Sequence, residues 1–541
     1  MKKTGLFCIV LLLFHHAGLF AQGNEIDAYT LSTTELNGTA RSMAMGGAFG
    51  ALGGDLSVIG NNPAGLGIYR SSEVSGTLDL FMNNTTAKWG DVATDRNKTR
   101  FSPNNLAFSI YFPTSSRGVL NWSLGFSRNR LKEFTRTYKM HKGNGQDYSM
   151  ADYAAWRASN AFGYGKGINI NDITLTDNND PYENGNLSGN WLPVLGFESG
   201  MFEYSERNNH YRSAFGWETN GNWLIESPLS NTLVVNESGY MDEYNIGFGM
   251  NVSNVLFLGS SISVTNIDYK YSSFYEEYFK YDNSTNDNLY LENRLNTEGT
   301  AVSVNIGVIT NLEMVRLGVA YNSPRWYSMT DYYGAWAGTL IHGYDKPKME
   351  NETPRDTYSE YRFSTPGKWI FSGALVLGQS ALISADYEIM NYKDMLVSDR
   401  KGHTDYVTND FIKEDYTWSH TAKVGTEIKI TPQFAVRAGY MMQTSPMREG
   451  LYNNDVEVLP AGTVPHFTVT SKPTTYITGG LGYRFTPNFY MDLTCIYRYN
   501  DSDAYAFSNT YMNNGNVDVH SEAAKLKTKT TRVALTLGYK F

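Results

Sequence analysis

Side chains that could carry out catalysis are scattered along this 541-residue chain. After His16, no histidine lies within five positions of another, so there is no helical histidine pair for zinc. Neither the G-x-S-x-G pattern of a hydrolase nor a phosphate-binding P-loop pattern occurs. His420 alternates with Trp418 and Ala422, which suits a catalytic group on a strand or, as the commoner case, a histidine in an aromatic girdle. The sequence therefore predicts no enzyme, no metal site and no cofactor.

Charged side chains recur on one face of an alternating pattern, and they are the second arrangement with chemical potential. The opposite face of the same segments is aliphatic and aromatic. The charged residues singled out on this face are Arg316, Asp386, Glu388, Arg437, Arg484, Asp492 and Arg498. A mixture of acids and bases could hold a plug by ion pairs or could line a water-filled pore for polar solutes. The plug is favoured, because a compact segment precedes the alternating region.

The elements that position these residues are predicted to be strands. Tyr244, Ile246, Phe248 and Met250, for example, alternate with asparagine and glycine, as in a strand with one apolar face. Fourteen such segments begin near Val74, Leu106, Leu120, Tyr244, Leu258, Val302, Val315, Trp369, Ala381, Trp418, Phe434, Ile477, Met491 and Val533. Short connections alternate with long ones of about 20 to 100 residues, which is typical of an up-and-down outer-membrane barrel. The expected fold is therefore an all-β, 14-stranded antiparallel outer-membrane β-barrel over residues 72–541.

The first residues predict export rather than structure. Lys2 and Lys3 precede an apolar run from Leu6 to Leu13, and Ala21 precedes Gln22, which is the pattern of a secretory signal peptide spanning residues 1–21. Its removal changes the formal charge from −9 to −9 − 2 = −11. Because the chain is acidic and has no basic cluster, nucleic acid is not expected as a partner.

Residues 22–71 are predicted to form a hatch, meaning a compact plug in front of the barrel. Small residues dominate this segment, so it can pack tightly without a core of its own. Arg41, Gly46 and Gly47 lie in a glycine-rich run, and Asn62, Pro63 and Ala64 form a short box after it. A barrel of fourteen strands has a bore between the filled lumen of eight strands and the channel of sixteen. The alternative is a short N-terminal periplasmic extension.

The hatch motif resembles that of the FadL/TodX outer-membrane transporters of long-chain fatty acids and aromatic hydrocarbons, in a form similar to the Bacteroidota branch. The resemblance is carried by the run from Arg41 to Phe49 and by Asn62-Pro63-Ala64, followed directly by a barrel. It implies that Asn62, Pro63 and Ala64 lie at the moving part of the hatch. It also implies an exit through the wall near the third strand, where Gly125 could mark a kink or could be ordinary lumen lining.

The longest connection, about residues 139–235, is larger than the resemblance leads us to expect. Ser149 is expected to cap a short helix that begins at Met150, with Tyr153 and Trp156 on one face. These aromatic residues could form a lid that collects substrate, or they could form the small core of the loop itself.

The function expected from sequence is passive uptake of hydrophobic small molecules across the bacterial outer membrane. The expected partners are the ligand, outer-membrane lipid and lipopolysaccharide, and the barrel-assembly machinery, for which the aromatic Phe541 at the end of the last strand resembles a signal. The protein is expected to be a monomer. An outer-membrane lipid hydrolase and a surface adhesin or haem-binding protein are the alternatives.

Overall fold

The computed structural model describes residues 24–541, except 116–117, 188, 221, 283–284, 344–347, 356 and 379. The signal peptide predicted for residues 1–21 lies outside the described residues.

The dominant element is one closed sheet. Within the described residues, fourteen strands form the barrel: β1 (Glu73–Trp89), β2 (Val92–Pro113), β3 (Val119–Glu133), β4 (Ser230–Val252), β5 (Leu256–Lys280), β6 (Asn286–Leu312), β7 (Val315–Asn322), β8 (Lys368–Leu377), β9 (Ala381–Asn391), β10 (Trp418–Lys429), β11 (Phe434–Gln443), β12 (Thr474–Arg484), β13 (Phe489–Tyr505) and β14 (Ala524–Lys540). All neighbouring pairs are antiparallel. The sheet closes because β1 pairs with β14, with Glu73 opposite Lys540.

The outer surface of the barrel has the composition that a bilayer requires. Ile246, Ile262 and Ile306 face outward and are 67%, 58% and 53% exposed, whereas the inward-facing Asn245 and Ser263 are buried. This apolar-out, polar-in alternation is that of a transmembrane barrel. On β6 the apolar band ends above Val302, and the residues beyond it on the outer face are polar or charged.

The predicted short turns are confirmed as the connections at one rim, but the prediction of long loops is wrong for two hairpins. β1 and β2 meet at a turn of two residues, 90–91, and β5 and β6 run far past the membrane band before they join. Beyond the band the alternation is inverted, because outward residues such as Asn266 and Lys270 are hydrophilic whereas the inward Ile267 and Tyr269 belong to an apolar core. A strand recognised by its apolar outer face therefore ends, in the sequence, where this inversion begins.

The part of the chain that the structure describes has ten further strands, which extend the barrel or lie in its long connections: Arg136–Lys142, Phe202–Ser205, His210–Ser213, Gly216–Thr219, Asn222–Ile225, Trp326–Leu340, Lys348–Glu352, Thr357–Ser364, Leu396–Asp399 and Phe467–Val469. The helices of the described residues are α1 (Glu25–Ser32), α2 (Ala40–Ala44), α3 (Met150–Ser159), α4 (Ile170–Ile173), α5 (Trp191–Glu198), α6 (Tyr406–Asp415) and α7 (Glu449–Tyr452), with 3-10 turns at Leu56–Gly60, Pro63–Ile68, Gly185–Leu187 and Tyr392–Asp394. In the described part of the chain, no helix has the length and apolar character needed to cross a membrane.

The main apolar core lies at the long-loop end of the molecule. Residues of α1, α3, α5 and α6 belong to it, together with residues from the upper parts of the wall strands, and α1 contacts α6. We call the segment between Lys142 and Ser230, residues 143–229, the cap. Four smaller apolar clusters fix the rest of the hatch against the wall. The hatch therefore has contacts both with the wall and, through α1, with the core below the cap.

Candidate functional site

Side chains at the start of the helix and turns of the hatch form hydrogen bonds that stabilise its fold. Thr39 accepts a bond from the Ser42 amide (3.1 Å) at the start of α2, and its hydroxyl donates to Asp55 (2.8 Å). Asp55 in turn accepts from the Ser57 amide (3.0 Å), which begins the turn Leu56–Gly60. Such caps supply partners for amides that a short helix leaves unpaired. The two halves of the hatch are thereby joined through polar side chains.

Asn62 organises the second predicted motif. Its Nδ2 donates to the carbonyl of Gly50 (2.6 Å), and its Oδ1 accepts from the Ala64 amide (3.2 Å). Pro63 opens the following 3-10 turn, a position where its missing N–H costs nothing. The Asn62 side chain also lies against the wall, since a Cβ added to Gly307 would be 1.9 Å from Oδ1. The box is therefore a brace between the glycine-rich run and the barrel.

The hatch lies against inward-facing glycines of the wall, which we call the glycine seats. At each of them an added Cβ would come within 3.0 Å of a hatch atom. In the described residues they are Gly125, Gly247, Gly249, Gly259, Gly307, Gly318, Gly425, Gly439 and Gly480, on β3 to β7 and β10 to β12. Sequence reasoning missed this set. The signal was present, because glycine recurs at lumen-facing positions of strands where it otherwise weakens pairing.

Gly46 and Gly47 form a tight bend of the glycine-rich run. Their φ angles are +64° and +75°, in the left-handed region that only glycine adopts without strain. The Gly46 amide donates to the Thr478 hydroxyl (3.1 Å), and an added Cβ would lie 2.9 Å from the Tyr440 carbonyl. The bend thus requires both predicted glycines, and in addition Gly46 lies close to β11 and Gly47 lies close to the Leu36 side chain.

Arg41 ties the hatch into a buried network of charges. Its guanidinium makes two bonds to Glu427 (2.8 and 3.1 Å), and Glu427 also bonds Arg437 (2.6 Å). Arg437 also donates a hydrogen bond to Asp492 (2.6 Å). Two guanidinium groups therefore share one carboxylate, whose side chain is only 4% exposed. Charge-assisted bonds of this kind are stronger than neutral ones and direct the geometry of both partners.

Two more of the predicted lumen charges hold the backbone of the hatch rather than its side chains. Asp386 Oδ2 accepts from the amides of Phe49 (3.0 Å) and Gly50 (2.9 Å). Arg316 donates to the carbonyl of Leu52 (2.6 Å). The segment 49–52 is therefore clamped between an acid on β9 and a base on β7.

The remaining predicted charges have different surroundings. Arg498 pairs with Glu35 of the hatch. Glu388 pairs with Lys423 within the wall (2.5 Å), beside the hatch. Arg484 is exposed at the short-turn rim, where it lines a cavity of about 140 Å³. Most of these charges thus meet the hatch or its neighbours, and Arg484 lies at its periplasmic edge.

This arrangement can hold a plug that is stable but not covalently fixed. Removing one partner of a buried ion pair typically costs about 3–5 kcal/mol, because the other charge stays buried and unpaired. A hatch that moves away has to exchange Arg41–Glu427 and the Asp386 bonds for bonds to water. In this structure the hatch is therefore held against the wall by ion pairs and by bonds to its backbone.

Gly125, the candidate wall kink, lies in a regular part of the ladder. It is paired with Ser109 on one side and Gly247 on the other, without a register shift. The shifts in the β3–β4 ladder fall at Val119/Asn121 and Arg130/Lys132. An added Cβ at Gly125 would lie 2.9 Å from the side chains of Ile59 and Leu66, so this glycine is a seat for the hatch in the present conformation.

Above the turns of the hatch, α1 occupies the upper lumen. Tyr29 lies between the rings of Tyr392 and Tyr416, with centroid distances of 5.4 and 5.6 Å. A cavity of about 180 Å³, which we call the inner chamber, remains between α1 and the wall. Its lining is largely polar and includes Lys132 and Arg498.

Two buried carboxyls lie where α1 meets α6. Burial, reinforced by repulsion from Asp415 and Asp27, raises the pKa of Glu25 to about 8. Burial and the neighbouring Glu414 raise the pKa of Asp415 to about 7. The Tyr416 hydroxyl donates to the Glu25 backbone carbonyl (3.1 Å), so the two elements are in direct contact.

The cap residues singled out in the sequence have separate positions. Ser149 caps α3 as expected, and its hydroxyl accepts from the Asp152 amide (3.1 Å). Tyr153 is fully buried and stacks on Phe507 with centroids 5.2 Å apart, so it belongs to the core of the cap. Trp156 is half-buried and lines a cavity that opens from the cap.

His420 lies among aromatic residues on the outer face of the barrel. Its Nδ1 is 2.8 Å from the Tyr387 hydroxyl, and the two rings stack. Trp418, two positions before it on the same face, is 49% exposed. These surroundings are those of a membrane-interface girdle.

Comparison with known proteins gives a likeness of fold. No protein-family model matches the chain, and no curated protein matches its sequence. A solved FadL homologue of Pseudomonas aeruginosa is similar in structure, with a TM-score of 0.52 and 11% identity over 94% of this chain and 100% of that one. The toluene transporters TodX of P. putida (TM-score 0.49, 12% identity, 94% and 99% covered) and TbuX of Ralstonia pickettii (0.46, 11%, 94% and 99%) are less similar. The chain therefore has the fold of a FadL-type outer-membrane barrel, and it crosses the membrane with fourteen strands.

Proposed function

We propose that this protein is an outer-membrane channel for the passive uptake of hydrophobic small molecules, such as long-chain fatty acids or aromatic hydrocarbons. The hatch rearranges to open it, and the ligand leaves sideways through the wall. The proposal treats the protein as a monomer that needs no energy source of its own.

The observation that carries the proposal is the fit between the hatch and the glycine seats. Nine described wall glycines on eight strands leave room for a folded segment that is not part of the sheet. A wall that served only as a scaffold would gain stability from larger lumen side chains, since glycine weakens strands. The seats are therefore best explained by a plug that has to fit closely and also leave.

The physical need for such a channel comes from the membrane itself. A lipopolysaccharide leaflet is a poor solvent for apolar solutes, whereas a protein pocket can take them out of water. The solved structure whose fold this chain shares is described as a FadL homologue. Lateral exit suits an apolar ligand, because burial in the bilayer is favourable by roughly 25 cal/mol per Å² of apolar surface.

The size and lining of the inner chamber indicate which parts of the protein have to move for a ligand to pass. It has a volume of about 180 Å³. A cavity of about 150 Å³ is known to hold a benzene molecule, so one aromatic ring is near the upper limit of this space. The polar lining with Lys132 and Arg498 does not favour an alkyl chain. Passage of either ligand class therefore requires displacement of the hatch, of α1, or of both.

The test replaces Asn62 and Pro63, which connect the glycine-rich run of the hatch to the barrel. The double variant Asn62→Ala/Pro63→Ala removes the bond to the Gly50 carbonyl and the fixed start of the turn, so the hatch no longer moves as one body. In a Gram-negative host without a hydrocarbon channel of its own, we expect initial uptake of labelled oleate and toluene to fall several-fold in this variant. The variant Asn97→Ala, at an exposed position on β2, is the matched control and should take up both ligands at the wild-type rate.

Two outcomes separate the parts of the proposal. Equal uptake by cells with the wild-type protein and cells with an empty vector would refute the transport function. Full uptake by the double variant, with a normally assembled barrel, would refute only the role of Asn62 and Pro63 in opening.

A further inference from the structure

A second cavity, which we call the cap pocket, opens at the long-loop end. Its volume is about 640 Å³, within the range of roughly 300–1,000 Å³ that small-molecule sites occupy. Its walls are formed by α3, by the hairpin of Phe202–Ser205 and His210–Ser213, by the loop 160–170, and by Asp518 and Val519. Its lining residues differ from those of the inner chamber, so it is a separate space.

The pocket is rich in aromatic rings. The lining aromatic residues are Tyr148, Trp156, Tyr164, Tyr204, Tyr211 and Trp223. Tyr164 is 47% exposed at the edge, whereas Tyr211 is buried at the base. Flat apolar faces in an open pocket give a ligand contact area at a low cost in side-chain entropy.

Hydrogen bonds hold several of these rings in place. The Trp156 indole donates to Asp518 (2.8 Å), and the Tyr211 hydroxyl donates to the carbonyl of Ile168 (2.8 Å). The Tyr204 hydroxyl donates to Asn209 (2.5 Å). A site whose rings are already fixed loses little freedom when a ligand binds.

Polar groups lie between the rings. The amides of Asn160, Asn169 and Asn209 line the pocket, and each amide side chain offers both donors and acceptors. The guanidinium of Arg212 is paired with Glu203 (2.6 Å) and lies 4.0 Å from the ring centroid of Trp223. Because Arg212 already has a carboxylate partner, the pocket gives no strong preference to an anionic ligand.

This chemistry discriminates between ligand classes. The asparagine amides and Asp518 already have some protein partners, and a hydrocarbon would cover their remaining donor and acceptor positions without replacing the bonds to water, which is unfavourable. A pyranose ring has a face of C–H groups that can stack on an aromatic ring, and an edge of hydroxyls that bond amides and carboxylates. From the rings, the amides and the paired arginine, we infer that the cap pocket is a binding site for a neutral oligosaccharide of hexopyranose units.

The proposed site shares no lining residue with the inner chamber, so its binding can be tested separately from transport. It would let the protein bind glycan at the cell surface. A role in adhesion or in local enrichment of glycan-linked compounds follows from binding alone.

The test is calorimetric titration of the purified full-length protein, in a detergent without a sugar head group, with neutral hexasaccharides of glucose, mannose, galactose and N-acetylglucosamine. We expect at least one of them to bind with millimolar or better affinity. Tyr164→Ala and Trp223→Ala should weaken that binding about tenfold, in line with the loss of one stacking contact. Trp217→Ala is the matched control, because Trp217 is 51% exposed on the same hairpin as Trp223 and lies outside the pocket lining.

The exposed position of Tyr164 keeps the test informative, because its removal should not disturb folding. Equal weakening by Trp217→Ala would overturn the proposal, as it would indicate contact with the exposed surface instead. No binding of any of the four sugars to the wild-type protein would also overturn it. Saturable binding of toluene that Tyr164→Ala abolishes, without sugar binding, would assign the pocket to hydrophobic ligands and refute the inference.

Discussion

At the scale of single residues, the most informative position is Glu427. Its carboxylate joins a hatch residue, Arg41, to a wall residue, Arg437, with distances of 2.6–3.1 Å. The same side chain therefore stabilises the closed position of the hatch and the inner surface of the barrel. No local pattern in the sequence distinguishes it from the other acids on alternating strands, since its partner Arg41 is 386 positions away.

We expect Glu427→Gln to loosen the hatch. The change leaves the buried Arg437 and the partly exposed Arg41 without their shared anion, and breaking a fully buried pair typically costs about 3–5 kcal/mol. In planar bilayers the variant should show frequent short openings that the wild-type protein lacks. The matched control is Glu360→Gln, which removes the exposed pair with Arg400. Exposed pairs contribute only about 0–1 kcal/mol, so this control should stay closed. A silent Glu427→Gln protein would contradict the role assigned to the network.

At the scale of elements, the membrane-spanning part was predictable and the parts that meet it were not. The period-two pattern of segments such as Tyr244–Val252 follows from lipid outside and polar lumen inside, so composition alone reveals the strand. The hatch was predicted from its small residues and its Asn-Pro-Ala box. Its seats were missed, because Gly259 and Gly307 show their meaning only once Pro63 and Asn62 lie against them.

The helix α1 illustrates a second limit of the sequence. Its residues show almost no amphipathic pattern, because it is surrounded by protein on several sides. Asn24 and Asp27 form a capping box at its start, which is a local signal. Its position below the cap depends on contacts with Tyr392 and Tyr416, which come from distant loops.

The contact between α1 and α6 should depend on pH. Glu25 ionises at its ordinary pKa of 4.5 when α1 is undocked and at about 8 when it is docked. Between these values the undocked state releases a proton that the docked state keeps, so docking weakens as the pH rises from 4.5 to about 8. Asp27 and Asp415, with pKa values raised to about 6 and about 7, act in the same direction.

Hydrogen exchange can measure this effect. After correction for the intrinsic rate, the protection of residues 25–32 should fall by about tenfold or more between pH 5 and pH 8.5. Glu25→Gln should reduce this dependence, because the group no longer ionises. Residues 40–44, which form α2, contain no acid and serve as the internal reference. Equal protection of α1 at both pH values would show that docking is not linked to these carboxyls.

At the scale of the whole molecule, we propose that two parts of the described chain close the bore, and we call them the lower and the upper seal. The lower seal is the body of the hatch, which contacts eight wall strands through the glycine seats. The upper seal consists of the cap and α1, which share one apolar core. Because α1 and the body of the hatch belong to one N-terminal segment, removing that segment also takes α1 out of the upper seal. Removing the cap, in contrast, leaves the lower seal in place.

This asymmetry predicts different results for two deletions. Lys142 and Asn231 are direct partners in the ladder, so a two-residue Asn-Gly turn can replace residues 143–230, which are the cap and Ser230, without shifting the register of that ladder. That variant should keep bilayer conductance near the wild-type level, because the hatch still closes the bore.

A variant without residues 24–70 loses the lower seal and also α1, which leaves a hole about 10 Å wide in the upper one. It should conduct ions continuously, provided that heat-modifiable migration on gels shows a folded barrel. Continuous conductance after loss of the cap, or a closed barrel after loss of the hatch, would reverse the order of the two seals.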